Sequence, residues 1–274
     1  MLNARMIKNN NNRLKQPKWR HEKPFNERRS KRKNDPALNS NYWIYGTHAT
    51  LAALSNPKRV CLRTIATQKF LAAHAQKINF KSVEIVERRE IVRVLPEGAI
   101  HQGIATFVNP LSITNLEQEL EKINNKEKSS IVVLDQATDP RNIGAVLRSA
   151  SGFGISFLLL QDRNTPSETG AMAKAASGAL ENTPIVRTAN LTRGLAMLKS
   201  HGFWCIGLDS NVETPLQQMR LDGNIAFVYG AEGHGLRRLT SQNCDILAQI
   251  PLKGPIKTLN LANAVSISLY EWAR

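Results

Sequence analysis

The stretch FVYGAEGHGLRRL, Phe227–Leu239, decides how the rest of the chain is read. Three β-favouring residues, Phe227 to Tyr229, run into a glycine-rich turn, and a basic segment able to open a helix follows. Strand, tight turn and helix make up the repeating unit of parallel α/β sheets. Loops at such strand ends are where open sheets bind ligands. The glycines Gly230, Gly233 and Gly235 are spaced G-x-x-G-x-G, whereas a dinucleotide fingerprint needs G-x-G-x-x-G. Leu236 and Arg237 stand where a P-loop carries Lys-Ser/Thr. Glu232, inside the loop, would repel phosphate and suits a ligand with hydroxyls, amines or positive charge. Taken alone, the loop also reads as a plain strand-to-helix turn.

Upstream and downstream of this stretch the same alternation continues. "IVVLD" from Ile131 is a continuous apolar strand of the buried parallel type. "RNIGAVLRSASGFG" reads as a helix closed by glycine, "SFLLL" as a second buried strand, and "NLTRGLAMLKSHG" as a helix. "FWCIGLD", "NIAFVYG" and "ILAQIPL" read as further strands, and Thr258 to Arg274 as a terminal helix. Alternating β and α predicts a parallel sheet with helices on both faces. Before it, residues 41–109 read as a small α/β unit: a turn at Gly46-Thr47, a helix over Ala49–Leu54, a strand near Val60–Ala66 and a helix around Gln68–Gln76. Two strands, "KSVEIVE" and "HQGIATFV", complete it. Residues 110–128 read as a solvated linker helix, and 129–274 as the main domain.

The chain has 274 residues, 42% of them hydrophobic, enough for a real core and two domains of ordinary size. Its formal charge of +15 predicts a polyanionic partner. Residues 1–40 hold 12 Lys/Arg against 3 Asp/Glu, a net +9, and almost no apolar pattern. They read as a disordered basic arm, with Trp19 and Phe25 among the charges able to stack on bases; a solubilising tail is the alternative. The three cysteines, Cys61, Cys205 and Cys244, match no metal spacing and read as buried thiols of a reducing compartment. No apolar run approaches the roughly 20 residues a membrane span needs. The basic N-terminus lacks the apolar region of a secretory signal. A cytoplasmic location is expected.

Three strand ends are unusually rich in Gly, Pro, Asn and charge: "LDQATDPRNIGAVLRSA", "VYGAEGHGLRRL" and "IPLKGPIKTLNLANAVSISLYEWAR". Together they resemble the three motifs of the SpoU (TrmH-type) RNA 2′-O-ribose methyltransferases, in the trefoil-knotted methyltransferase superfamily. The first carries Asp139, Pro140, Asn142, Gly144, Ala145 and Arg148 of the pattern D-P-x-N-x-G-A-x-x-R. The second carries Gly230, Ala231, Glu232, Gly233 and Gly235 of G-A-E-G-x-G. The third carries Ile250, Pro251, Gly254, Leu259 and Asn260. "YGTHATLAALSNPKR" and "HQGIA" resemble the family's small N-terminal RNA-binding domain, which is related to a ribosomal protein fold. The likeness covers residues 41–274. One departure stands out: Thr258-Leu259-Asn260-Leu261-Ala262 replaces the usual S-L-N-V-S, keeping the first hydroxyl and losing the last.

The resemblance implies an enzyme with a knotted fold and S-adenosylmethionine as cofactor. The expected reaction is methylation of a ribose 2′-hydroxyl in RNA, with a guanosine of large-subunit (23S) rRNA as the favoured target. A tRNA ribose methyltransferase and a non-catalytic RNA-binding assembly factor are the alternatives. By the same resemblance, Gly230, Gly235, Ile250, Pro251, Gly254 and Leu259 would wrap the cofactor, and Arg148 would stand beside the reacting hydroxyl. Asn142, Glu232, Thr258 and Asn260 would order Arg148 and the ribose. His234 falls at a variable position. Lys253, Lys257, Arg237 and Arg238 read either as RNA-phosphate contacts or as a solvated face. No metal and no membrane partner are implied. A homodimer with the site at the subunit interface is expected, Arg148 coming from one chain and the cofactor loops from the other. The terminal helix agrees: Leu261, Val265, Leu269 and Trp272 form an apolar stripe, and Ala262, Ala264 and Ser266 offer further small or apolar faces.

Overall fold

The computed structural model describes residues 40–74, 82–123, 128–231 and 233–274. The expected arm over residues 1–40 therefore lies outside the described residues except for Ser40, and so does Glu232. Two sheets carry the chain. The first has β1 (Tyr42–Tyr45), β2 (Cys61–Ala66), β3 (Val83–Ile85) and β4 (Ile104–Val108) in the order β1-β4-β2-β3. Central β4 runs antiparallel to both β1 and β2. Helices α1 (Thr47–Ser55), α2 (Gln68–Ala73) and α3 (Arg88–Val94) connect the strands. Local signals place them: the Thr67 hydroxyl accepts from Phe70 N at 3.3 Å, and the Glu90 side chain accepts from Glu87 N at 3.2 Å.

The second sheet is the expected parallel one. It comprises β5 (Ser130–Leu134), β6 (Phe157–Gln161), β7 (Ile185–Thr188), β8 (Trp204–Leu208), β9 (Ile225–Tyr229) and β10 (Ile246–Ala248), in the order β10-β8-β9-β5-β6-β7. Every pairing is parallel. All residues of β5, β6 and β9 are buried, as apolar runs covered on both faces require. On one face Val132, Leu134, Leu158, Leu160 and Phe227 pack under α5 (Pro140–Gly152), α6 (Gly170–Ala176) and α9 (Leu261–Ala273). On the other, Ile131, Val133, Phe157, Leu159 and Val228 pack under α4 (Leu116–Glu121) and α7 (Leu191–Ser200). A short α8 (Arg238–Gln242) precedes β10.

Some elements differ from the sequence reading. The supposed solvated linker helix is α4, and Leu116 and Leu120 bury its apolar edge in the core. Its acidic surface masked a two-residue apolar stripe. Strands β1 and β7 and helix α6 carry no periodic signal of their own and are set by their neighbours. The terminal helix starts at Leu261, not Thr258, because the Asn260 side chain caps it, accepting from Ala262 N at 2.9 Å. Burial pushes the Cys205 and Cys244 thiols up to about 12, with Asp245 adding to the effect, so both are protonated at neutral pH. Among the described residues no helix is long and apolar enough to cross a membrane, and no three metal-binding side chains cluster.

Candidate active site

Strand order locates the site. β5 and β9 are neighbours, level at their carboxyl ends, where Leu134 pairs with Tyr229. From β5 the chain leaves through α5 toward β6 on one side; from β9 it leaves through α8 toward β10 on the other. Connections that diverge from adjacent strands open a crevice at their carboxyl ends. The first two motif loops flank that crevice, and the third leaves β10 at the same edge.

The second loop closes on itself. Ala231 and Gly235 form an antiparallel bridge, with Gly235 N donating to the Ala231 carbonyl at 3.0 Å. A Cβ on Gly230 would overlap the backbone of Gly235 and Leu236, so only glycine lets the strand end fold this tightly. Gly233 and Gly235 take positive φ angles of 83° and 66°.

Beneath the loop lies a lock that the sequence reading missed. The Asp135 carboxylate, at the end of β5, is buried. It accepts from Thr240 Oγ1 at 2.6 Å and from Arg237 Nε at 2.9 Å, while Arg237 Nη2 donates to Gln161 Oε1 at 2.7 Å. Arg237 is therefore not the RNA-facing or merely solvated cation of the first reading. It ties the second loop to the ends of β5 and β6. An aspartate ending an apolar strand, "IVVLD", was the available signal, since a buried carboxylate needs a partner.

The first and third loops meet through two asparagines 118 positions apart. Asn260 Nδ2 donates to Asn142 Oδ1 at 3.3 Å, while its Oδ1 caps α9. Both faces of the Asn260 amide are thus oriented. Further along the same helices Ser266 Oγ donates to Ser149 Oγ at 2.7 Å. The two contacts run in the same chain sense, so α5 and α9 lie parallel and both amino ends face the crevice edge. Asp139 caps α5, accepting from Arg141 N at 2.8 Å.

The remaining expected residues divide. Ile250 packs against the core, and Leu259 is half-buried. Pro251, Gly254 and Thr258 are exposed. From Ile250 to Leu259 no peptide group hydrogen-bonds within the described residues, which leaves a run of donors and acceptors facing outward. Arg148 sits on the exposed face of α5 with no hydrogen bond or ion pair among the described residues, so one chain does not bring it to Asn142, Thr258 or Asn260. His234, Arg238, Lys253 and Lys257 are exposed. Tyr229, buried beneath the crevice, has its hydroxyl pKa raised by burial, an effect that Ser268 opposes.

Comparison with known proteins bears on this geometry directly. The chain is 35% identical over 241 residues to the 23S rRNA (guanosine-2′-O-)-methyltransferase RlmB of Coxiella burnetii, covering 84% of this chain and 94% of that protein. Its fold is that of the SpoU methyltransferase AviRb from Streptomyces viridochromogenes, solved in complex with AdoMet, with a TM-score of 0.70 and 19% identity. That match covers 88% of this chain and 92% of the other. The AdoMet-bound rRNA methyltransferase from Sinorhizobium meliloti matches with a TM-score of 0.67 and 21% identity, covering 88% and 89%. The model of the SpoU rRNA Methylase family matches residues 129–270, the span from the start of β5 into α9 that holds the crevice and all three loops. With sequence, fold and loop placement in agreement over that span, the chain belongs to the SpoU methylase family of RNA methyltransferases.

Proposed function

We propose that this chain methylates a ribose 2′-hydroxyl in RNA with S-adenosylmethionine, and that its target is a guanosine of large-subunit rRNA. One observation carries the reading: motif loops more than a hundred residues apart converge at the β5/β9 crevice, where Asn142 meets Asn260. The likeness to RlmB along nearly its whole length supports the choice of rRNA and guanosine. When bound, the cofactor supplies an electrophilic methyl group on a sulfonium. The residues present fit it. The unbonded peptide groups between Ile250 and Leu259 offer donors and acceptors to an adenosine, and Gly230, Gly235, Pro251 and Gly254 let main chain approach closely. These loops are the ones that the family resemblance ties in a knot.

Arg148 takes the substrate side. A guanidinium with a pKa above about 12 does not act as a free base. It grips a neighbouring phosphate in a bidentate manner and stabilises the charge developing on the 2′-oxygen. Asn142, Thr258, Asn260 and Glu232, the last outside the described residues, orient the ribose. Because Arg148 lacks a partner within one chain, we place the site between two copies, in a homodimer. The first sheet, residues 41–109, with the basic arm, holds the RNA.

The test is transfer of radiolabelled methyl from S-adenosylmethionine to bulk rRNA and to tRNA, followed by nucleoside analysis. Labelled 2′-O-methylguanosine in large-subunit rRNA is the expected product. Label confined to tRNA would overturn the rRNA assignment, and cofactor binding with no transfer to either would overturn the enzyme.

A further inference from the structure

A buried ion cluster joins the two sheets, and the proposed chemistry does not use it. Arg59, between α1 and β2, has no exposed side-chain surface. Its Nε donates to Glu181 Oε2 at 3.0 Å and its Nη2 to Glu181 Oε1 at 2.7 Å. Its Nη1 donates to Glu168 Oε2 at 2.9 Å and to the Asn109 carbonyl at 2.9 Å. Tyr42 Oη donates to the same Glu168 oxygen at 2.7 Å, and Asn56 Nδ2 donates to Glu181 Oε2 at 2.8 Å. Tyr42, Asn56, Arg59 and Asn109 belong to the first sheet and its connections; Glu168 and Glu181 lie on either side of α6, in the second. Burial opposes the charge on Arg59, but the two carboxylates hold the guanidinium protonated.

Such a cluster is a poor source of net stability, because desolvation takes back much of the attraction. It is a good source of geometry. Apolar faces tolerate sliding, whereas directed bonds to both carboxylates hold in one arrangement. Two further contacts act on the same helix. Gln102, at a φ of 57° that non-glycine residues seldom adopt, accepts from Thr47 N at 3.0 Å and from Lys174 Nζ at 2.6 Å. At Gly170 the missing side chain admits the Trp43 carbonyl of β1, and a Cβ there would overlap it and stand 2.7 Å from the Tyr45 ring.

We propose that Arg59 is a positioning residue: with Glu168 and Glu181 it clamps the first sheet at one fixed span from the crevice, so the nucleotide to be methylated is selected by its distance from the place where RNA is gripped. This rests on the reading that the first sheet grips RNA.

Two chemically unrelated variants test it. Arg59→Met removes the cation and leaves the carboxylates facing each other; Gly170→Ala drives a wedge between β1 and α6 without touching a charge. Both are expected to bind S-adenosylmethionine, and to methylate a short rRNA stem–loop too small to reach both sheets, within about twofold of wild type. On a full-length large-subunit rRNA transcript kcat/KM is expected to fall at least about tenfold, with methyl groups spread onto neighbouring nucleotides. Arg59→Lys should recover part of the loss. Hydrogen exchange at β1 and α6 should rise in both variants. Wild-type rate and a single methylated nucleotide on the long transcript in either folded variant would overturn the clamp, as would equal losses on the short and long RNAs. If Arg59→Met does not fold, Gly170→Ala decides. If the wild-type protein methylates no RNA, the functional reading fails, and exchange at β1 and α6 still reports on the clamp.

Discussion

At the scale of single residues, Arg148 is the position whose surroundings say most about its task. It is exposed, on a helix whose opposite side is packed, and makes no hydrogen bond or ion pair among the described residues. Packing or stability does not require it, so its replacement tests chemistry alone. Arg148→Ala is expected to lower methyl transfer by about 100- to 1,000-fold, the usual loss when a stabilising donor is removed. Its unfolding free energy should stay within about 0.5 kcal/mol of wild type. Calorimetry should find cofactor affinity unchanged; lost cofactor binding in a folded protein would move Arg148 to the cofactor side. Asn142 and Asn260 were legible from the sequence as motif residues, and the geometry brings them together. The Asp135–Arg237 lock was not legible as a pair, since the two residues stand 102 positions apart and only the folded sheet makes them neighbours.

At the scale of elements, the second loop is held from below. Arg237 keeps part of its side chain in water, whereas the Asp135 carboxylate has none. Removing the cation therefore strands a buried charge, which costs about 3–5 kcal/mol in a fully buried pair. Arg237→Met is expected to approach the lower end of that range by chemical denaturation, and to weaken cofactor binding through the displaced loop. A midpoint unchanged from wild type would mean that Thr240 alone satisfies Asp135. Buried strands such as β5, β6 and β9 could be read in advance because their apolar runs are continuous. Helix α6, "GAMAKAA", could not: its small residues suit close approach, and Gly144 of α5 fits only because a Cβ there would overlap the Met172 carbonyl. Contacts of that kind leave no hydrophobic period to detect. β1 likewise becomes a strand through pairing with β4.

At the scale of the whole molecule, the apolar stripe of α9 is already spent inside one chain. Leu261, Val265, Leu269 and Trp272 are all buried there. What α9 still offers a partner is Ile267, 37% exposed, and Tyr270, 58% exposed. If the site is shared between copies, mixing Arg148→Ala with Asn260→Ala protein should restore some of the activity that each lacks, measured as methyl transfer after subunit exchange. A monomer by sedimentation at micromolar concentration would remove the dimer, and a dimer without complementation would remove only the shared site. The sheet order carries a consequence for how the protein is made. Its two central strands, β5 and β9, pair residue 130 with residue 225. The nascent chain must hold β5, β6 and β7 without their central partner until β9 has left the ribosome. Contacts this distant in sequence slow folding and prolong the exposure of strand edges, so the first three strands of the sheet are the segment that most needs chaperone protection during synthesis.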